Sequence, residues 1–399
     1  MIALLSSAYL YLAWLDFSYP LLNTLLATIA LYLLLRESPK VWFSAGFFIG
    51  IFWFWWIGMS FEHYGFFWAM PIGVLLIAMV YGVWFYAIAK VSFIIGLDSK
   101  NSIWIKALLL LIASYIHPFG FDWFKPELMF VESYIGIQKW QFGIVLVAIS
   151  LSIYHHRAIY LPLILLAYNP NIPHPTTLPP HISLVDTDIS IDDKWNPKLL
   201  SMQINLVKDK IKEAIGEDKK LIIFPESILP LYLNREPELL EYFRESSKSI
   251  SIVVGALSYE DNIPRNSTYI FDNSSLLIAN KVILVPFGES NPLPDWLGKI
   301  VNDIFYDGAV DYKASSEVSD YTIDEVTYRN AICYEGCSEA LYIDNPKEMI
   351  IISNNNWFTP SIQPTEQRLL LEYYSRKYGT RIYHSINGSV GYMIRVERF

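Results

Sequence analysis

Apolar residues run almost unbroken through seven stretches of the first 172 positions, at roughly 2–17, 19–35, 41–60, 68–95, 103–118, 139–154 and 158–172. A helix needs about 20 residues to cross the hydrocarbon core of a bilayer. Stretches 41–60 and 68–95 therefore predict full crossings, and the short pairs at either end predict tight hairpins or re-entrant elements. No basic leader or small-residue cleavage site precedes the first stretch, so it reads as a retained helix. The pattern then changes. "YNPNIPHPTTLPP", 168–180, has five prolines and no helical period, which predicts a stiff extended spacer.

Beyond the spacer, short β-rich runs alternate with polar helical stretches. "HISLVDTDIS", "KKLIIFPES", "ISIVVGALSYE", "NSTYIFDNS", "NKVILVPFGE", "YRNAICYEG" and "EMIIISNNNWF" predict strands. "NPKLLSMQINLVKDKIKEAIG", "EPELLEYFRESSKS" and a run from about Thr365 to Tyr378 predict helices, before a closing "IYHSINGSVGYMIRVE". Alternation of this kind implies an α/β or layered α+β domain with buried sheets. The expected organisation is a transmembrane domain of about seven helices at 1–168, a linker at 169–180 and a catalytic domain at 181–399.

Composition sharpens that division. The mean hydropathy of +0.30 averages two unlike halves. Residues 1–168 hold 8 Lys and Arg against 7 Asp and Glu, a net of +1, with 10 of the 13 tryptophans. The remainder holds 22 against 32, a net of −10, and acidic surface argues against nucleic-acid binding. Two cysteines exclude a disulfide framework. With seven helices and an inside N-terminus, Arg36, Lys40, Lys90, Lys100, Lys106 and Arg157 fall on inside loops, and Lys125 and Lys139 fall outside. Lys and Arg are retained on the cytoplasmic side, so this distribution predicts that everything after Tyr168 lies on the outer face.

Three predicted strands end in reactive side chains. "LIIFPE" ends at Glu226, "NKVILVPFGE" starts at Lys281 and ends at Glu289, and "NAICYE" delivers Cys333 and Glu335. Taken singly, each has a plain structural reading: a solvated turn carboxylate, an edge lysine or a small buried thiol. Taken together, Glu, Lys and Cys supply base, oxyanion partner and nucleophile, since a thiol needs activation and acyl transfer needs a cation where the carbonyl oxygen becomes negative. No metal site is expected, because the seven histidines are scattered and nothing completes a ligand set beside Cys333 and Cys337. No cofactor loop appears. Both thiols are expected to be free, with Cys333 the nucleophile and Cys337 a packing residue.

The order Glu226, Lys281, Cys333 resembles the catalytic set of the nitrilase superfamily. Within it the chain is similar to the apolipoprotein N-acyltransferase family, through "KVILVPFGESNPLP", "ISLVDTDISIDDKW", "NNNWF" and "NGS", and more loosely through "SFEHYG" and "HPFGFDWF". The resemblance implies a four-layer αββα sandwich after a polytopic membrane domain of the bacterial inner membrane, facing the periplasm. It implies that Cys333 takes an acyl chain from the sn-1 ester of a phospholipid as a thioester and passes it to the α-amine of a diacylglyceryl-cysteine at an apolipoprotein N-terminus. Glu226 would be the base, and Lys281 with the backbone N–H after Cys333 the oxyanion partners. Glu289, Tyr334 and Glu335 would support them, and Trp357 and Phe358 would lie on a mobile loop near the site. A monomer is expected. Departures are Asp186 where Gln is common, "WFTP" lacking the usual glycine, the diverged "PTEQRLLLEYYSRKYG", and a closing "YMIRVERF" too polar to cross where the family has a further helix. Other readings are a membrane-tethered nitrilase-type amidase or acyltransferase with another envelope substrate, and a scaffold that has lost its chemistry.

Overall fold

The computed structural model describes residues 1–63, 65–96, 98, 100–286, 288, 289 and 312–396. The chain packs as two compact units. One is Met1–Pro173 together with Pro360–Lys377, and the other is His174–Thr359 together with Tyr378–Arg395.

The first unit contains α1 (Ile2–Trp14), α2 (Pro20–Arg36), α3 (Pro39–Phe54), the single turn α4 (Ser60–His63), α5 (Met70–Gly96), α6 (Ser102–Ala113) and α7 (Lys139–His155). Among the described residues, Pro39–His63, Phe67–Gly96 and Ser102–Gly120 are long and apolar enough to cross a membrane. Proline at the first turn of α2 and α3 starts each helix where its missing N–H is no loss. The seventh apolar stretch differs from an α-helix. Ala158–Ala167 is a 3₁₀ helix containing Pro162, whose ring denies the backbone one donor. Gly136 N–H donates to Ala167 O at 2.8 Å, and Ile135 bridges Tyr168. The chain thus returns, after α7, to the level at which α7 began.

Loop contacts sort into two ends. At one, the turn between α1 and α2 meets the loop before α7, where Ser18 donates to Glu132 (2.5 Å) and Asn23 to Glu132 O (3.0 Å). At the other, Lys106 Nζ donates to Leu35 O and Glu37 O, at 3.3 and 2.7 Å, between α2 and α3.

Among the described residues, the second unit holds two six-stranded sheets. Its strands are β1 (His174–Thr176), β2 (Ile182–Leu184), β3 (Leu221–Ile223), β4 (Leu229–Tyr232), β5 (Ser251–Glu260), β6 (Ile263–Asp272), β7 (Ser275–Asn280), β8 (Asp320–Ile323), β9 (Val326–Ile332), β10 (Glu348–Asn354), β11 (Arg381–Asn387) and β12 (Tyr392–Arg395). One sheet has the order β1-β12-β11-β10-β9-β8, and the other β2-β3-β5-β6-β7 with β4 beside β5. Within the proline-rich stretch, His174–Thr176 is paired: it runs antiparallel to β12 as an edge strand, where proline is tolerated.

A shared core of Ile182, Leu221, Ile223, Val253 and Ile270 from one sheet and Tyr328, Ile332, Ile350, Ile352 and Tyr383 from the other closes the sandwich. Each such side chain contributes roughly 1.5–3 kcal/mol by leaving water. Helices α8 (Ile191–Lys194) and α9 (Leu200–Gly216) follow β2, and α10 (Pro237–Ser246) follows β4. The α9 and α10 apolar stripes, with Val207, Ile211, Leu239 and Phe243, cover the outer face of the β3–β5–β6 sheet. The parallel neighbours β10 and β11 are connected in the chain through α11 (Gln363–Tyr378), nearly all of which folds with the first unit.

The expected strand "NKVILVPFGE" is placed differently. The strand is β7, "SLLIAN", and Lys281 leaves it at its end. The next two N–H groups, of Val282 and Ile283, donate to the Glu335 carboxylate at 2.7 and 3.0 Å instead of to a ladder. Phe287 and residues 290–294 of the longer motif lie outside the described residues.

Candidate active site

Strand β3 of one sheet and strand β9 of the other each deliver one reactive side chain just past their last paired residue. Proline at 225 cannot donate to a ladder, so β3 stops and Glu226 stands beyond it. Ser227 then turns with φ +47°. This turn lies against Gly255 of β5, where a Cβ would fall 2.5 Å from Pro225 O and 2.7 Å from the Glu226 Cα. Any side chain at 255 must displace the carboxylate's own backbone. At the end of β9, Cys333 adopts φ +55°, a left-handed conformation rare for a residue with a side chain. It opens a short 3₁₀ turn, Cys333–Cys337.

The carboxylates converge on Lys281, which is 1% exposed. Its Nζ lies 2.7 Å from Glu289 Oε2 and 3.9 Å from Glu226 Oε1. Asn266 of β6 donates through Nδ2 to Glu226 Oε1 (2.7 Å) and Glu289 Oε1 (3.2 Å), and Val285 N–H donates to Glu289 Oε2 at 3.0 Å. Burial works against the ammonium, but Glu289 and Glu226 outweigh it and hold the amine above its usual range. The partly exposed Cys333 thiol is pushed up to about 12 by burial, then by Glu226, against the pull of Lys281 and the Asn354 N–H. A resting thiolate is therefore scarce. A thiol in this state could act as a nucleophile only with a base at the moment of attack and a fixed cation for the charge that follows.

Glu335 couples the two segments. One oxygen accepts from Ile332 N–H (2.8 Å), and the other accepts from Val282 and Ile283, the residues after Lys281. Burial pushes its carboxyl up to about 7 in spite of Lys281 and these three donors. The unfolded carboxyl titrates near 4.3, so the folded state binds the proton more tightly. That contribution to stability is complete below the unfolded value and is lost as pH rises through about 7, roughly 4 kcal/mol in all. In the Cys333→Ala background, denaturant unfolding followed by alkylation of the fully buried Cys337 should show resistance falling between about pH 5 and 8. Glu335→Gln should flatten that fall, and an unchanged slope would contradict the assignment.

All five of Glu226, Lys281, Glu289, Cys333 and Glu335 are thus brought together. Tyr334 is buried on the turn that carries Cys333. Trp357 and Phe358 follow the end of β10, the parallel neighbour of β9. The "NNN" run holds that end: Asn354 accepts from Asn387 Nδ2 at 2.7 Å, and Asn356 donates to Ile189 O at 2.8 Å. Both cysteines are free thiols. Sequence reasoning missed Asn266, a polar residue inside an apolar strand, and gave no role to Lys194 of the "ISLVDTDISIDDKW" motif, whose buried Nζ donates to Glu226 O at 3.0 Å. Among the described residues no cluster of His, Cys, Asp and Glu could hold a metal ion.

A thiol, a carboxylate and an ammonium at the ends of buried strands, on a chain whose other half is apolar helix, define a membrane-borne enzyme of cysteine-based acyl transfer. The comparisons with known proteins agree. Residues 1–171 match the apolipoprotein N-acyltransferase integral membrane domain. The chain is 41% identical to the apolipoprotein N-acyltransferase of Wolinella succinogenes, over 97% of this chain and 92% of that one. It is 37% identical to the Helicobacter pylori enzyme of the same name, over 94% and 87%, and 33% identical to that of Campylobacter jejuni, over 98% and 88%. Among solved structures, it is similar to a CN-hydrolase superfamily protein of Xanthomonas campestris, at 14% identity and a TM-score of 0.39, over 52% of this chain and 76% of that one. The chain belongs to the apolipoprotein N-acyltransferase family.

Proposed function

We propose that the protein moves an acyl chain from a membrane phospholipid to the α-amino group of the N-terminal diacylglyceryl-cysteine of apolipoproteins. The observation that carries this reading is the grouping of Glu226, Glu289 and Asn266 about the buried Lys281 within the field of the Cys333 thiol, in a family member that retains all three reactive residues.

The chemistry proceeds in two halves. Glu226 takes the thiol proton as the Cys333 sulfur attacks the ester carbonyl. The C–S bond forms, and the oxygen's negative charge is met by Lys281 and the backbone N–H after Cys333. When the C–O bond breaks, Glu226 returns the proton to the leaving lysophospholipid oxygen. In the second half the acceptor amine attacks the thioester carbonyl, the N–C bond forms and the C–S bond breaks. The amine proton passes through Glu226 back to the sulfur. Glu289 holds Lys281 in place, Tyr334 and Glu335 fix the turn that carries Cys333, and Trp357 and Phe358 border the acyl path. Water must be kept from the thioester between the halves, which suits a donor taken directly from the bilayer.

The protein acts in the bacterial cytoplasmic membrane with its catalytic domain at 181–399 on the periplasmic side, after a membrane domain at 1–168 and a linker at 169–180. Loop charge supports this orientation. So do the grouping of Arg36, Lys40 and Lys106 at one end and the return of Ala158–Ala167 along α7, which keeps the number of passes odd. Mass spectrometry of lipoprotein N-termini in cells that depend on this protein tests the reading. N-acylation should be present with the wild type and absent with Cys333→Ala, and its persistence in the variant would overturn the assignment.

A further inference from the structure

Lys194 takes no part in the chemistry above, yet it is 1% exposed and its charge is felt at the site. It closes the single turn α8, whose start is fixed by the Ser190 hydroxyl accepting from Asp193 N–H at 3.1 Å. Its own backbone is held from α9, where Gln203 Nε2 donates to Asp193 O (3.0 Å) and Lys194 O (3.2 Å). Its Nζ donates to the carbonyl oxygen of Glu226 at 3.0 Å. Among the described residues, no carboxylate lies within ion-pair distance of it. A buried ammonium whose hydrogen bond goes to a neutral carbonyl is an expensive arrangement, since burial pulls this amine down to about 8 against Glu226 and Cys333, and a neutral side chain of the same length would fill the space without that cost.

The acceptor is informative. The Glu226 carbonyl belongs to the peptide that enters Ser227, the residue held at φ +47° against Gly255. If this peptide swings, the carboxylate leaves the reach of Asn266 and Lys281. Lys281 meets the Glu226 carboxylate, and Lys194 meets its main chain. The second lysine also interacts electrostatically with both Glu226 and Cys333, the two groups between which the proton moves.

We propose that Lys194 is a positioning residue for acyl transfer, clamping the Glu226 peptide so that its carboxylate faces the thiol, and adding a second buried positive charge to the proton-transfer pair. The inference rests on the proposed roles of Glu226 and Cys333.

Single-turnover acylation of the full-length protein in phospholipid nanodiscs, using a fluorescent-acyl phospholipid and normalised to reactive Cys333, tests it. Lys194→Met should slow acylation about 100-fold while the half-saturating donor concentration stays within about twofold. A residue that merely supports the fold would lower the amount of reactive enzyme and leave the rate per site intact. Lys194→Gln, which keeps a donor and loses the charge, should fall between wild type and Lys194→Met. A rate per site within twofold of wild type in the methionine variant would overturn the proposal. So would a change confined to half-saturation, or failure of both variants to fold, which would assign Lys194 to stability alone. Label that appears equally in Cys333→Ala would instead overturn the reading of the site.

Discussion

Lys281→Met should reduce acyl-enzyme formation by about 100- to 1,000-fold, the range seen when one preorganised oxyanion donor is lost. Two effects add in the same direction. The charge proposed to face the carbonyl oxygen disappears, from a position that is only 1% exposed. Glu226 and Glu289 are also left sharing Asn266 Nδ2 with no cation between them. Two carboxylates so placed cannot both ionise easily, so one takes a proton and the base is neutralised part of the time. The residual activity of the variant should therefore climb with pH across a range where the wild type is level. Single-turnover rates measured from about pH 6 to 9 check both points. A loss under tenfold with an unchanged pH profile would remove Lys281 from the oxyanion role.

The second large effect is expected far from the thiol. Arg376 on α11 spends its whole guanidinium on main-chain carbonyls of the first unit. Nη1 donates to Phe130 O (2.8 Å), Val131 O (3.0 Å) and Ile135 O (3.1 Å), Nη2 to Ser133 O (3.1 Å) and Asn169 O (2.5 Å), and Nε to Asn171 O (2.9 Å). The loop before α7 and the start of the linker are thereby organised around one side chain. Neighbours on α11 repeat the pattern: Arg368 reaches Glu132, Tyr373 reaches Glu127, and Trp56 Nε1 donates to Glu366 at 2.8 Å. Arg376→Leu would leave buried carbonyls unsatisfied, at about 1–3 kcal/mol each where water cannot enter. A net loss of about 4 kcal/mol, and a Tm lower by roughly 10 °C, is expected in detergent by intrinsic fluorescence. Arg376→Lys should rescue little, since an ammonium has three donors and no planar fork. A Tm within about 2 °C of wild type would mean the loop is held by other contacts.

These two residues show what was legible in the sequence and what was not. Lys281 was visible because a lysine at the edge of an apolar run, in chain order between Glu226 and Cys333, made chemical sense before any contact was known. Its local structure was harder to read. "KVILV" has strand composition, but the N–H groups after Lys281 are claimed by Glu335, fifty-two residues and more away in the chain, and no local propensity reports such a partner. Arg376 had no signal beyond its place in an amphipathic stretch, because what it binds is backbone, which carries no sequence signature. Asn266 was hidden for a similar reason, and Lys194, though inside a quoted motif, had no readable role, since each is defined by the group it meets.

The left-handed turn at Cys333 was likewise invisible, although the residue itself was the first candidate. In the first unit, the apolar stretches 41–60 and 68–95 fall within the helical segments 39–63 and 67–96, each long and apolar enough to cross a membrane. The pattern was read less well at 158–167, where Pro162 turns an apolar run into a 3₁₀ helix.

The central claim is that Cys333 carries the acyl group as a thioester. Purified wild-type protein incubated with phospholipid and no acceptor, then acid-quenched and digested, should yield a Cys333 peptide heavier by one acyl chain. Hydroxylamine should remove that mass, the Cys333→Ala protein should never gain it, and an acceptor peptide bearing diacylglyceryl-cysteine should discharge it. An adduct on another residue, or acceptor N-acylation at the wild-type rate by Cys333→Ala, would contradict the claim.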